Sequence, residues 1–260
     1  MIDIGANLCH DSFDADRSEV LQRASDAGIS KIIVTGSCVQ SVPRALELAQ
    51  AHPGRLFATA GIHPHHAAEA TREGLQVLAE AATHREIVAT GEMGLDFFRD
   101  FSPHSTQEKA FHAQLELAVE MGKPVFLHQR DAHHRFLPIL KEYLPHLPRA
   151  VVHCFTGNAK ELHDYLDQDL YVGVTGWICD ERRGRHLWDF IGDVPADRLM
   201  IETDAPYLLP RTLKPKPASR RNEPMHLVAV AQTLSGVLGK PLEQIAAETT
   251  DTANTFFGLR

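Results

Sequence analysis

What most constrains this chain is an alternation: short β-branched or aromatic runs, suited to buried strands, recur eight times with helical patterns in most of the intervals. The runs fall at 2–7, 31–35, 56–61, 86–91, 124–128, 150–154, 170–174 and 198–202. The clearest amphipathic stretches between them are 14–27, where Val20, Leu21, Ala24 and Ala27 fall near one face, 105–121 and 158–168. Ser105 and Glu108 have the spacing of a capping box, and Gly28 and Gly122 stand where the first two helices should stop. Eight such repeats in 260 residues predict a single TIM-like (β/α)8 barrel occupying residues 1–260. An open doubly wound sheet is the main alternative. It loses its nucleotide-binding versions because the sequence has neither a G-x-G-x-x-G turn after the first run nor a P-loop. One long irregular stretch, 205–223, carries several prolines and precedes helical patterns near 224–238 and 241–257.

Composition narrows the function classes. A hydrophobic content of 43 % is too high for a disordered chain. The apolar runs are far shorter than the roughly 20 residues that span a bilayer. The start, MIDIGANLCHDSFDADR, lacks the basic and apolar regions of a signal peptide. Four cysteines are scattered without CxxC spacing and read as reduced thiols, so the expected compartment is the cytoplasm, with no membrane partner. With 26 basic against 34 acidic residues the net charge is −8, which argues against coating nucleic acid by bulk charge but leaves room for a local basic site.

The 16 histidines are the unusual component, and their positions matter. In a parallel barrel the reactive face is built by the carboxyl ends of the strands and the loops that follow. The third run leads to His63, the fourth to Glu92, the fifth to His128, the sixth to His153 and the eighth to Asp204. Gathering several ionisable groups at one mouth costs several kcal/mol per unpaired charge, about what a divalent cation offsets. Mixed imidazole and carboxylate donors suit Zn, Mn, Fe or Mg. Glu92 lies in a glycine-bounded turn that lets its carboxylate reach inward, and Asp96 either assists it or braces the loop. Asp204 is suited both to ligate and to deprotonate an attacking water. Arg182, Arg183 and Arg185, and then Arg211, Lys214, Lys216, Arg220 and Arg221, follow the seventh and eighth runs and fit a phosphate substrate. Arg130 is placed to clamp phosphate, and Phe97, Phe98 and Phe101 either stack on bases or pack the loop.

The segments GIHPH, GEMGLDF, FLHQRDAHHRF, HCFTG, GVTGWICDERRG, IETDAPYLLPR and KPASRRNEP resemble those of the TatD family of metal-dependent deoxyribonucleases, in the amidohydrolase superfamily. The resemblance spans essentially the whole chain. It implies a metal-dependent 3′–5′ exonuclease acting on phosphodiester bonds of DNA, at single-stranded or 3′ ends, with RNA as a further substrate and a role in DNA repair or degradation. By the same resemblance Glu92, His128, His153 and Asp204 match metal-binding positions, Glu92 and Asp204 being catalytic as well. His63, His65, Arg130, Arg211, Arg220 and Arg221 are expected to meet substrate, and the protein is expected to act as a monomer. One departure stands out: the wider family opens with an H-x-H pair where this chain has Gly5 and Asn7. An amide oxygen suits a hard cation, so Mg2+ is the expected cofactor, ahead of Mn2+ or Zn2+. The rival readings are a metal-dependent amide or aminoacyl-ester hydrolase on the same scaffold and a non-catalytic nucleic-acid-binding barrel.

Overall fold

The computed structural model describes residues 1–259. Eight parallel strands follow one another round one sheet in chain order. They are β1 Ile2–Ala6, β2 Lys31–Val34, β3 Leu56–Ala60, β4 Ile87–Asp96, β5 Val125–Arg130, β6 Ala150–Val152, β7 Tyr171–Val174 and β8 Leu199–Ile201. The ring closes just past the end of β8, where Asp204 N–H donates to Gly5 O at 2.8 Å and Asn7 N–H donates to Ala205 O at 2.7 Å. The TIM-like (β/α)8 architecture expected from the alternation is therefore present.

Helices α1 Arg17–Asp26, α2 Ser41–Ala51, α3 Arg72–Ala82, α4 His104–Met121, α5 His133–Tyr143 and α6 Ala159–Leu166 fill the first six intervals. Between β7 and β8 the described residues form only short 3-10 turns, at Gly176–Cys179, Arg185–Asp189 and Ile191–Asp193. Two helices, α7 Leu227–Leu238 and α8 Leu242–Phe257, follow β8. No helix among the described residues is long and apolar enough to cross a membrane.

Two local expectations are corrected. α4 starts at His104 behind Pro103 rather than at a Ser105 cap, and Glu108 pairs with Arg135 at 2.8 Å. A capping box forms instead at Asn158 and Glu161, at the head of α6. The fourth strand runs on to Asp96 instead of stopping at Gly91, because a bulge lets it continue along β5.

Ile2, Ile4, Ile33, Val88, Phe126, Val151, Tyr171 and Met200, drawn from strands all round the ring, form a buried cluster with Phe256, Phe257 and Leu259. The end of α8 thus packs beneath the strand starts, with Phe256 against Tyr171 at 4.9 Å between ring centroids. A larger apolar cluster joins the outer strand faces to the helices. Each fully buried aliphatic or aromatic side chain contributes about 1.5–3 kcal/mol, so both faces of the sheet are held firmly and the opposite, carboxyl end is free to carry polar groups.

Candidate active site

Side chains alternate along a strand, so the interior residues predict what reaches the mouth. Phe126, Val151 and Met200 belong to the interior cluster. Two positions further on, His128, His153 and Glu202 project from the same face at the carboxyl end. Glu92 arrives by a different device. Gly91 pairs with Phe126 and Met93 with Leu127, which leaves Glu92 as the extra residue of the bulge, aimed off the ladder. Gly91 and Gly94 have φ of 124° and 146°, and a Cβ on either would lie 2.1 Å from Phe126 O or 1.9 Å from His128 O, so only glycine lets β4 approach β5 this closely.

One carboxylate oxygen organises the cluster. Glu92 Oε1 lies 2.7 Å from His153 Nε2, 3.0 Å from His128 Nδ1 and 3.4 Å from His63 Nε2. Asp96 Oδ2 faces His65 Nε2 at 2.9 Å and His128 Nε2 at 3.3 Å. Behind His153, Glu202 Oε2 lies 3.3 Å from Nδ1, while Glu202 Oε1 accepts the Cys154 N–H at 2.6 Å. Asp204, turned inward at φ 52°, accepts from Asn7 Nδ2 at 2.9 Å.

These contacts set the charges. Burial alone would raise the Glu92 carboxyl, but the nearby His63 and His153 and the hydrogen bonds from His128 and His153 hold it well below its ordinary value. Burial opposes charge on His153 too, and Glu92 and Glu202 outweigh it, raising that imidazole well above its ordinary value. His128 is raised against its burial by hydrogen bonds to Asp96 and Glu92. For His63 burial wins and its pKa falls. Burial pushes Asp204 up to about 7, with Glu92 and Glu202 adding to the rise and His153 opposing it.

Among the described residues, one donor atom each from His63, Glu92 and His128 lie within 4.8 Å of one another. This cluster could hold a metal ion, and its mixture of imidazole and carboxylate fits a divalent cation. His63, expected to meet substrate, stands in this group of possible donors. His153 touches the same Glu92 oxygen, whereas Asp204 lies outside that tight group. His63, His65, Glu92, His128, Arg130, His153 and Asp204 all line one cleft of about 480 Å³.

The other basic residues singled out from the sequence do not line that cleft. Arg221 is engaged by Asp16 at 2.7 Å and Glu223 at 2.8 Å, and Arg211 by Glu181 at 3.1 Å. Arg220 is exposed on the 205–223 segment. Glu202 and the bracing role of Asn7 were missed in the sequence. The signal for Glu202 was present, because it stands two residues beyond an interior methionine at the end of a strand.

The profile of the family described as TatD related DNase matches residues 2–258. A protein of Erwinia amylovora named 3′-5′ ssDNA/RNA exonuclease TatD is 49 % identical over 259 residues, covering all of both chains. One of the same name from Pantoea ananatis is 48 % identical with the same coverage. The crystal structure of YJJV, a TatD homologue from Escherichia coli, superposes with a TM-score of 0.90 at 30 % identity, covering 100 % of this chain and 98 % of that one. A TatD family hydrolase of Entamoeba histolytica gives 0.91 at 28 % identity with the same coverage. With the profile matched from the first strand to the end of the last helix, this chain belongs to the TatD related DNase family.

Proposed function

We propose that this chain is a divalent-metal-dependent exonuclease that removes nucleotides from the 3′ end of single-stranded DNA and RNA, acting as a monomer in the cytoplasm. The observation that carries the reading is the convergence of three imidazoles, from the ends of β3, β5 and β6, on Glu92 Oε1. The names of relatives that match along their whole length supply the substrate class.

In this reading His63, Glu92, His128, His153 and Asp204 hold the cation. When bound, it would polarise the scissile phosphoryl group and lower the pKa of a coordinated water. Asp204, raised toward neutrality by its burial, takes up the proton of the attacking water. Asp96 and Glu202 fix the His128 and His153 rings by occupying the nitrogens that face away from Glu92. Arg130 lines the same cleft, where its planar fork suits two non-bridging phosphate oxygens. Three imidazoles make the donor set richer in nitrogen than Mg2+ prefers, and we assign Mn2+ or Zn2+ as the retained ion, with Mg2+ supporting turnover when supplied in excess.

The test is a metal-stripped preparation assayed on end-labelled single-stranded DNA, RNA and a carbonyl ester, with Mg, Mn and Zn added back. The reading expects cation-dependent release of 3′ nucleotides and no ester hydrolysis. Cation-dependent ester cleavage with intact nucleic acid would transfer the site to the amide and ester hydrolases.

A further inference from the structure

Single exposed apolar side chains are ordinary on a protein surface, whereas large ones gathered at one place mark a binding surface, and here three gather at the mouth of the cleft. Among the described residues the exposed large hydrophobics are Phe98 (55 %), Phe101 (67 %), Tyr207 (52 %) and Trp188 (36 %). Phe101 and Tyr207 line the cleft that holds the Glu92 cluster. Phe98 lies against Arg130, another lining residue, with the guanidinium 4.2 Å from the ring centroid. Trp188 is separately occupied, donating to Ile178 O and carrying Arg185 on its ring.

The topology sets these rings on two sides of the mouth. Phe98 and Phe101 follow β4 and Tyr207 follows β8, and in a ring of eight strands those two are diametrically opposed. Each ring is braced from behind. Phe101 rests on His65 at 4.6 Å and Tyr207 meets His10 edge-on at 5.8 Å. Behind Phe98 stands a ladder in which Arg130 lies 5.7 Å from Trp177, Arg183 covers Trp177 at 4.3 Å, and Asp180 holds Arg183 at 2.8 Å. Cations and aromatic faces thus interleave along one rim, the combination that follows a sugar–phosphate backbone while stacking its bases.

We propose that Phe98, Phe101 and Tyr207 form a two-sided stacking rim that accepts unpaired bases beside the scissile phosphate and so selects single strands over duplex. A duplex buries its base faces in its own stack, whereas unpaired bases present a π-face whatever their sequence. The Arg130 guanidinium, stacked on Phe98 and lining the cleft, meets the phosphates. The proposal rests on the nuclease reading and adds the groups that set its strand preference.

Phe98→Leu, Phe101→Leu and Tyr207→Leu keep an apolar side chain at exposed positions and remove the π-face. The readout is the ratio of kcat/KM on a single-stranded oligonucleotide to that on an abasic strand of the same length, whose phosphodiesters carry no ring to stack. The ratio is expected to fall about 5- to 150-fold per stacked base, chiefly through KM, and the preference for single strand over blunt duplex is expected to shrink with it. An unchanged ratio in all three variants overturns the rim. A parallel measurement uses 2-aminopurine at the 3′ end of a hydrolysis-resistant phosphorothioate strand. Its fluorescence should be quenched on binding the unaltered protein and much less by the triple variant, and equal quenching overturns the proposal. Failure of the unaltered protein to hydrolyse either phosphodiester sinks the nuclease reading instead, while the fluorescence result still decides the rim.

Discussion

Glu202 shows how far a single side chain shapes this centre. Its carboxylate is fully buried and lies where two glycines leave room: a Cβ at Gly5 would stand 2.5 Å from Oε2, and one at Gly173 2.7 Å from Oε1. The first position of the missing H-x-H pair is thus already filled by a carboxylate, and an imidazole introduced there would first have to displace Glu202. Glu202→Gln keeps the volume and removes the charge behind His153. It should weaken Mn2+ binding about 10- to 100-fold in a calorimetric titration. Unaltered affinity would reduce Glu202 to a space-filling role. His63, Glu92, His128, His153 and Asp204 were legible in the sequence because each follows an apolar run at a strand end. The inward turn of Asp204 was not, since it depends on a left-handed backbone and on an amide donated by Asn7 from the other edge of the closure.

Among the elements, the β4 bulge and the 205–223 segment depart furthest from their sequence readings. A run of alternating residues gives no sign of a one-residue insertion, so Glu92 was legible as a turn acid and not as the bulged residue of a longer strand. The basic run was legible as charge and not as pairing, because the partner of Arg221 is Asp16, 205 positions away. Arg221 and Arg23 hold Asp16 at about 2, below its ordinary 3.8, chiefly through the Arg221 hydrogen bond. A depressed carboxyl contributes stability that is fully present above its unfolded value and is lost as pH falls through its folded value. Asp16→Asn should therefore be less stable than the unaltered protein by a constant margin above about pH 5, and the margin should shrink progressively as pH falls, most of it gone by about pH 2. Denaturant melts across that range check it, and a margin that persists undiminished at pH 2 would mean that the ion pair is not its source.

At the scale of the whole molecule, the eightfold alternation was readable because parallel strands covered on both faces must be apolar nearly throughout. The replacement of a helix by short turns between β7 and β8, and the closure through residues beyond β8, depend on contacts that no local pattern encodes. The two ends of the ring divide the work, with apolar packing at the strand starts and chemistry at the strand ends. Phe256→Ala should accordingly cost about 3–5 kcal/mol in chemical unfolding while leaving cation affinity unchanged. Loss of cation affinity in a variant that remains folded would show that the two ends are coupled.

The central claim is that the strand ends build one cation-dependent centre around Glu92, and cation titration of 3′-nucleotide release tests it most directly. Metal-stripped protein and its Glu92→Ala variant are titrated with Mn2+ on a 5′-labelled single strand. The account predicts that the stripped protein is inactive, that added cation restores release along a saturable curve, and that Glu92→Ala stays inactive at the same concentrations. Full release in the presence of chelator, or restoration of Glu92→Ala to the unaltered rate, would contradict it.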